Sequence, residues 1–257
     1  MTAPIALITG ASAGLGTDFA RQLSATGTRL VLVARRKDRL EALAAELGNA
    51  RAVAIDLAEP AATTRLLADI AKHDEHVDCL INNAGFGLAG RFADLDGPRQ
   101  REMIDLNCGV LTELAHGVLP GMRQRRRGGI LNVASTAAFQ PGPGMAVYFA
   151  TKAFVLSFTE ALHEEVARDG IHVSALCPGP TATEFSEVAG FASNPGFKKL
   201  AADSPSVVRI GLAGLARNQA VIVPGLFNKA SAQGHRFLPR IALRKIVAMM
   251  KVATPAA

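Results

Sequence analysis

Residues 5–24, IALITGASAGLGTDFARQLS, decide the fold. The first five are apolar or β-branched and predict a short buried strand, and Leu15, Phe19 and Leu23 follow on one face of a helix. Between strand and helix lie three glycines with the spacing G-x-x-x-G-x-G, which departs from the common G-x-G-x-x-G fingerprint. A glycine turn at this place lets the backbone approach a pyrophosphate at the helix N-terminus. The stretch therefore predicts a dinucleotide-binding unit.

The alternation of strand and helix continues along the chain. RLVLVA at 29–34, RAVAID at 51–56 and VDCLIN at 77–82 are strand-like, and helical segments separate them. This alternation requires crossover connections, so we expect an α/β fold with a doubly wound parallel sheet, Rossmann-like and formed by a single domain. We place this catalytic domain at residues 1–227, including an irregular loop at about 178–205, and a basic amphipathic tail at residues 228–257.

The composition argues against several classes of protein. The chain has 257 residues, 49% of them hydrophobic, and no apolar run approaches the roughly 18 residues of a membrane span. Its start runs directly into the glycine loop, so we expect no signal peptide. The three cysteines, Cys79, Cys108 and Cys177, lie in apolar segments, which predicts a reducing, cytoplasmic compartment and no metal site. The net charge of +6 is largely local, and the cluster at 123–127 lacks the interleaved aromatics of a nucleic-acid surface, so we expect no nucleic-acid partner.

Two arginines follow the second strand, about 20 residues after the glycine loop, where a dinucleotide fold reads the adenosine ribose. An acidic residue would hold the 2′-hydroxyl of NAD there, whereas Arg35 and Arg36 offer charged donors to the 2′-phosphate of NADP. The alternative is that both simply begin an exposed helix. We predict NADP(H), with Asp56 at the end of the third strand accepting from the adenine amino group.

A second chemical motif lies in residues 135–152, STAAFQPGPGMAVYFATK. Ser135 ends a strand-like run, and Tyr148 and Lys152 are four residues apart in a helical segment, so both should project from one helix face. Lowering a phenol pKa by about 3 units from its value near 10 takes about 4 kcal/mol, which we expect the charge of Lys152 to supply. The alternative is an ordinary solvated pair. However, Tyr148 is the only tyrosine, and the chain has no tryptophan.

Short polar residues mark two further segments. Asn82, Asn83, Ala84 and Gly85 suit a place where backbone passes close to a flat ligand, and we expect them to brace the sheet as well. Asn107 lies in an apolar helix predicted from about residue 98 to 122, where a helix-interior amide needs a partner. Both segments are therefore candidate parts of the site.

These motifs together resemble the short-chain dehydrogenase/reductase family, to about residue 225. TGASAGLG at 9–16 resembles the family's cofactor loop, NNAG at 82–85 its fourth-strand motif, and PGPT at 178–181 its turn beside the nicotinamide. The resemblance implies that Tyr148 gives or takes the proton and that Ser135 orients the substrate oxygen. It also implies that Lys152 binds the nicotinamide ribose and lowers the tyrosine pKa, and that Asn107 holds a relay water. With the arginines, the expected cofactor contacts are Gly10, Ser12, Gly14, Leu15, Gly16, Arg35, Arg36, Asp56, Leu57, Asn83, Ala84, Gly85, Tyr148, Lys152, Pro178, Gly179 and Thr181.

We therefore expect an enzyme that transfers hydride between NADP(H) and the carbonyl or alcohol carbon of a small, mainly apolar substrate. FGLAGRF at 86–92, AAFQPGPGM at 137–145 and the loop after Pro178 should line its pocket, because they are mostly small or apolar. ARRKDRL at 34–40 and HRFLPR at 235–240 resemble a branch that includes hydroxysteroid dehydrogenases and ketoacyl reductases. The alternative is a non-catalytic NADP-sensing or interaction protein on the same fold.

Two apolar surfaces predict further contacts. The helices that carry Asn107 and Tyr148 are apolar nearly all round and can bury only one face on their own sheet, which predicts a homodimer or homotetramer. The tail interleaves basic and apolar residues. We expect it at an apolar interface within the oligomer, with peripheral membrane contact as the alternative.

Overall fold

A seven-stranded parallel sheet forms the centre of the computed structural model, which describes residues 3–184, 201–234 and 237–249. The strand order is β3-β2-β1-β4-β5-β6-β7, and every described pairing is parallel. The strands are β1 Ile5–Thr9, β2 Arg29–Ala34, β3 Ala50–Ala54, β4 Val77–Asn82, β5 Gly128–Val133, β6 Ile171–Leu176 and β7 Val221–Ile222. The predicted doubly wound parallel sheet is confirmed.

Helices cover both faces of this sheet. They are α1 Gly14–Ser24, α2 Lys37–Leu47, α3 Ala62–Lys72, α4 Gly97–Ile104, α5 Leu111–Arg125, α6 Ala146–Glu165, α7 Ser204–Ala216, α8 Leu226–Gly234 and α9 Arg240–Met249. Among the described helices, none is long and apolar enough to cross a membrane. The single helix predicted from about residue 98 to 122 is divided, because Asp105–Val110 forms a π-helical segment between α4 and α5.

Alternate residues of β1 contribute to two separate cores. Ile5 and Leu7 pack in the layer formed with α3, α5 and α6, and Ala6 and Ile8 pack in the layer formed with α1, α2 and α7. All four are buried, as expected for a central parallel strand. The glycine loop that follows β1 is therefore anchored between two packed layers.

The chain reverses direction across the sheet between β3 and β4. It runs outward from β1 to β3 and then returns, so that β4 lies beside β1 on the other side. Open α/β sheets bind ligands beyond the carboxyl ends of their strands at such a reversal. The glycine loop after β1 and the NNAG segment at the end of β4 meet at this place.

The chain from Leu226 onwards, which contains α8, α9 and most of the predicted tail, exposes large apolar side chains. Leu226, Phe227 and Phe237 are 85%, 73% and 85% exposed. The loop predicted at about 178–205 is described only at its two ends, and residues 185–200 lie outside the described residues. These ends pair with each other, since the amide of Ala202 donates to the carbonyl of Pro180 at 2.9 Å.

Candidate active site

Ser135 lies two residues beyond β5 and begins a short 3-10 helix, Thr136–Phe139. Its Oγ accepts a hydrogen bond from the amide of Ala137 at 3.1 Å, so the side chain caps this helix. Oγ also donates to the carbonyl of Pro178 at 3.5 Å. The hydroxyl is thus held between the chain segments that leave β5 and β6.

Tyr148 and Lys152 lie one turn apart on the buried side of α6, at 8% and 7% exposure. The side chain of Tyr148 is hydrogen-bonded with that of Ser135. The Nζ atom of Lys152 donates to the carbonyl of Val133 at 2.8 Å and lies 5.7 Å from the centre of the Tyr148 ring. The three side chains are therefore brought together, and the alternative of a solvated Tyr–Lys pair is wrong.

The pKa of Tyr148 is raised, contrary to the expectation from sequence. Burial raises the pKa of the phenol to about 12, and the hydrogen bond with Ser135 offsets only part of this effect. Burial also lowers the pKa of Lys152 to about 8. The prediction that Lys152 lowers the tyrosine pKa is wrong for this arrangement, because desolvation acts on both side chains and favours the neutral form of each.

Asn107 finds its partners in two neighbouring segments. Its Nδ2 donates to the carbonyl of Phe86 and to Oγ1 of Thr151, each at 3.0 Å, and its Oδ1 accepts from the amide of Phe86 at 3.1 Å. Gly85 permits this approach, since a Cβ there would lie 2.7 Å from Asn107 Oδ1. The side chain therefore ties the segment after β4 to α6, and both of its amide hydrogens are used. Thr151 was missed from sequence, because a threonine within a helix gives no local signal of such a contact.

The glycine loop is shaped for a close approach to the start of α1. Gly10 and Gly14 have φ values of +67° and +54°, and a Cβ on Gly16 would lie 2.1 Å from the Gly10 carbonyl oxygen. The N-cap residue of α1, Ala13, makes no side-chain capping hydrogen bond. The first-turn amides are then suited to an external acceptor, which fits the pyrophosphate of a dinucleotide. Leu15 is half-buried against the core beneath α1.

Thr9 and Asn83 lock the ends of β1 and β4 together. Thr9 Oγ1 accepts from the amides of Asn83 and Ala84, each at 3.0 Å. Asn83 Nδ2 in turn donates to the carbonyls of Thr9 and Gly10 at 3.0 and 3.2 Å. The expected bracing of the sheet by this segment is confirmed. Thr9 was missed from sequence, because a threonine at a strand end is also simply a good strand former.

The arginines after β2 belong to a larger charged cluster. Arg36 donates from Nε to Ser12 Oγ at 3.2 Å and from Nη1 to one carboxylate oxygen of Glu184 at 2.9 Å. Arg39 donates to the other oxygen of Glu184 at 2.6 Å. Arg35 points to Asp56 instead, with a closest N–O distance of 3.8 Å. Sequence reasoning missed Arg39, although its position one turn after Arg36 was a signal, and Glu184, which lies 148 residues from Arg36.

The remaining predicted contacts lie at the ends of β3 and β6. The carboxylate of Asp56 accepts from the amide of Ala58 at 3.0 Å, and the neighbouring Leu57 is buried. In the turn after β6, Thr181 Oγ1 donates to the carbonyl of Gly179 at 3.0 Å. Gly179 also packs on Asn228 of α8, since a Cβ there would lie 2.5 Å from that amide. The tail is thereby in contact with the turn beside the site.

A family model for short-chain dehydrogenases matches residues 4–190. The chain belongs to the short-chain dehydrogenase family. One similar relative is the NADP-dependent 3-hydroxy acid dehydrogenase YdfG of Salmonella typhi, 38% identical over 187 residues, which are 72% of this chain and 75% of the relative. Among solved structures, a short-chain dehydrogenase from Sphingobium yanoikuyae in complex with NADPH is 34% identical, with a TM-score of 0.83 over 98% of both chains. A bulky-bulky ketone specific alcohol dehydrogenase from Comamonas testosteroni is 29% identical, with a TM-score of 0.79 over 100% of this chain and 98% of the other.

Tyr148 of this short-chain dehydrogenase lies in an apolar cluster. Its buried members are Phe86, Met103, Ala137, Met145, Tyr148 and Phe149, and none of these is charged. The amide of Gly90 donates to the carbonyl of Gly144 at 2.8 Å, which joins the two segments expected to line the substrate pocket. The guanidinium of Arg99 stacks over the Phe86 ring at 4.1 Å and pairs with Glu102. The surroundings of the phenol are therefore mainly apolar.

Proposed function

We propose that this protein transfers hydride between NADP(H) and the carbonyl or alcohol carbon of a bulky, mainly apolar substrate. One observation carries the proposal: the buried phenol of Tyr148 is hydrogen-bonded with Ser135 and lies one helical turn from Lys152. Membership of the short-chain dehydrogenase family supports the reaction class, and the NADP dependence of the Salmonella relative and the NADPH complex of the Sphingobium structure support the cofactor.

Tyr148 is the proton donor in the direction of carbonyl reduction. With a pKa of about 12, the buried phenol is fully protonated at neutral pH and can give its proton to the substrate oxygen. Ser135 orients that oxygen, and Lys152 would hold the nicotinamide ribose. The bound nicotinamide supplies or accepts the hydride. Alcohol oxidation needs the phenolate instead, so we expect reduction to be favoured at neutral pH and oxidation to rise with pH.

The cofactor contacts follow from the residues at the strand ends. The loop of Gly10, Ser12, Gly14, Leu15 and Gly16 would hold the pyrophosphate, and Arg35 and Arg36 would hold the 2′-phosphate. Asp56 and Leu57 would hold the adenine. The nicotinamide and its ribose would be held by Asn83, Ala84, Gly85, Tyr148, Lys152, Pro178, Gly179 and Thr181. The fit of the arginine site to an anion is supported by the carboxylate that Arg36 already binds.

Asn107 positions a relay water behind Lys152. Its side-chain amide hydrogens are both donated within the protein, to Phe86 and Thr151. The water would therefore bind the main-chain carbonyl of Asn107, which lies in the π-helical segment, a form of helix that is frequent at functional sites.

An apolar ketone is the substrate class that the surroundings of Tyr148 favour. Hydrophobic side chains pack around the Tyr148 ring, with Lys152 Nζ at 5.7 Å from its centre as the neighbouring cation. The Comamonas enzyme, which matches the whole chain, is specific for bulky-bulky ketones. The second candidate is a 3-hydroxy acid, the substrate class in the name of the Salmonella relative. Its carboxylate would need a cation, and Arg99 beside Phe86 is in place to supply one.

Reduction assays with NADPH separate these possibilities. A panel of bulky aryl and alicyclic ketones should be turned over faster than 3-oxo acids, and Arg99→Ala should leave the ketone rates largely unchanged. If the protein prefers 3-oxo acids and Arg99→Ala abolishes this preference, the proposed apolar substrate class is wrong. A protein that binds NADPH but reduces no member of the panel would favour the alternative, a non-catalytic NADP-sensing protein.

We also propose a homodimer or homotetramer in the cytoplasm, with residues 1–227 as the catalytic domain and residues 228–257 as the tail. Ile104 on α4 and Phe154 on α6 are 42% and 44% exposed, and Phe154 stacks on Phe158 at 5.9 Å, which supports an apolar contact between copies.

The tail covers an apolar interface in the oligomer. Its alternative, a membrane surface, would be supported by tail-dependent sedimentation with anionic liposomes.

A further inference from the structure

The segment after the β6 turn lies across the cofactor loop. A Cβ on Gly14 would lie 3.0 Å from Cβ of Thr183, so Thr183 packs directly on the backbone at the start of α1. Glu184, the next residue, reaches the arginine cluster at the start of α2. Two adjacent residues therefore cover the loop and Arg36, to which the proposed function assigns cofactor phosphates, and Glu184 also pairs with Arg39.

Glu184 is held as an anionic ligand would be held. Its two carboxylate oxygens accept separately, one from Arg39 at 2.6 Å and one from Arg36 at 2.9 Å. Hydrogen bonds from Arg39 and then Arg36 keep the pKa of this carboxyl below its ordinary value. Arg36 is fixed from the other side by Ser12, whose Oγ and carbonyl it contacts at 3.2 and 3.4 Å. The site is thus an oriented pair of guanidinium groups with one anion between them.

We propose that Glu184 is an internal competitor for the 2′-phosphate of NADP(H), and that Arg39 with Arg36 forms the subsite for which they compete. The inference rests on the proposed function, because it presupposes a 2′-phosphate at these arginines. A carboxylate and a phosphate use the same guanidinium donors, and both cannot occupy them together. Binding of the phosphorylated ribose therefore requires Glu184 to leave, whereas an adenosine without the 2′-phosphate does not.

The exposure of the two ion pairs determines how strongly Glu184 competes with the 2′-phosphate. The side chains of Arg36, Arg39 and Glu184 are 41%, 47% and 44% exposed, so solvent screens both pairs. Two such pairs favour the conformation in which Glu184 contacts both arginines by about 3- to 10-fold. The apparent affinity for the 2′-phosphate falls by the same factor.

Calorimetric titration with adenosine 2′,5′-bisphosphate and with 5′-AMP tests the proposal, since these probes differ only in the 2′-phosphate. Glu184→Gln should bind the bisphosphate about 3- to 10-fold more tightly than the wild type and should bind 5′-AMP equally well. Arg39→Ala should weaken the binding of the bisphosphate and leave the binding of 5′-AMP unchanged. Glu46→Gln is the matched control, because Glu46 pairs with Arg21 at 2.8 Å on the same side of the fold at similar exposure.

The outcomes separate this inference from the proposed function. A wild-type protein that binds the bisphosphate no better than 5′-AMP would contradict the NADP assignment itself. If the wild type clearly prefers the bisphosphate and Glu184→Gln leaves this preference unchanged or weakens it, only the proposed competition by Glu184 is overturned. An equal gain for both probes would also overturn it, since that result would place the effect of Glu184 outside the phosphate subsite.

Discussion

Lys152 of α6 donates a hydrogen bond from Nζ to the carbonyl of Val133, the last residue of β5, at 2.8 Å. This bond connects the helix that carries Tyr148 to the strand that leads to Ser135. The Lys152 side chain is buried, and desolvation is the main cause of its lowered pKa; no carboxylate is among the causes of the shift. The cost of that burial makes Lys152 a measurable contributor to the pH dependence of stability.

Lys152→Met should remove a rise in stability between about pH 8 and pH 10. The folded pKa is about 8 against 10.5 for an exposed lysine, so in this window the unfolded chain binds the proton and the folded chain does not. The free energy of unfolding of the wild type therefore rises with pH, by up to about 1.4 kcal/mol per unit. Chemical denaturation across this range, with Lys72→Met as an exposed-lysine control, measures the difference. Parallel profiles for wild type and Lys152→Met would contradict the shift.

The sole tyrosine allows the pKa of Tyr148 to be measured directly. Phenolate absorbance of the folded protein without cofactor should appear only towards pH 12, because burial disfavours the phenolate. Addition of NADP⁺ should lower this pKa, since an oxidised nicotinamide held by Lys152 would bring a positive charge close to the phenol. Circular dichroism must be followed in parallel, because unfolding exposes an ordinary tyrosine. Titration near 10 in a folded, cofactor-free protein would be inconsistent with the buried phenol.

Arg35→Ala with Arg36→Ala should reduce the preference for NADPH over NADH by about 1 to 3 kcal/mol, the scale of hydrogen bonds to charged groups. Each single variant then divides the effect between Arg35, whose closest N–O distance to Asp56 is 3.8 Å, and Arg36, which Ser12 also holds. Dissociation constants for both cofactors give the preference. Arg21→Ala removes an exposed arginine that pairs with Glu46 and serves as control. A wild type that binds NADH and NADPH equally would contradict the assignment.

Phe154→Asp should shift the protein towards a smaller mass in solution. A half-exposed phenylalanine on α6 would be buried in the proposed contact between copies, where a carboxylate is costly. Light scattering at micromolar concentration measures the mass, and Phe92→Asp, also at an exposed position, is the control. Monomeric wild-type protein would rule out the proposed oligomer.

The sequence predicted those features that depend on local spacing. The strand, glycine loop and helix at residues 5–24 and the Tyr148–Lys152 turn are each defined within a few residues, so their periodicity predicts them. Contacts between distant segments were missed: Asn107 with Thr151 is 44 residues apart, and Arg36 with Glu184 is 148 apart. The direction of the Tyr148 pKa shift was predicted wrongly because spacing reveals the neighbouring cation and not the depth of burial, which outweighs it here.

Tyr148→Phe tests the central claim most directly. The substitution removes one oxygen from a buried ring, so it should keep the fold and leave NADPH binding, followed by fluorescence, nearly unchanged. Reduction of the best ketone from the panel should fall by at least about 100-fold, because general acid catalysis typically contributes a factor of 100 to 10,000. A Tyr148→Phe variant that is folded, binds NADPH and reduces the ketone at close to the wild-type rate would contradict the assignment of Tyr148 as the proton donor.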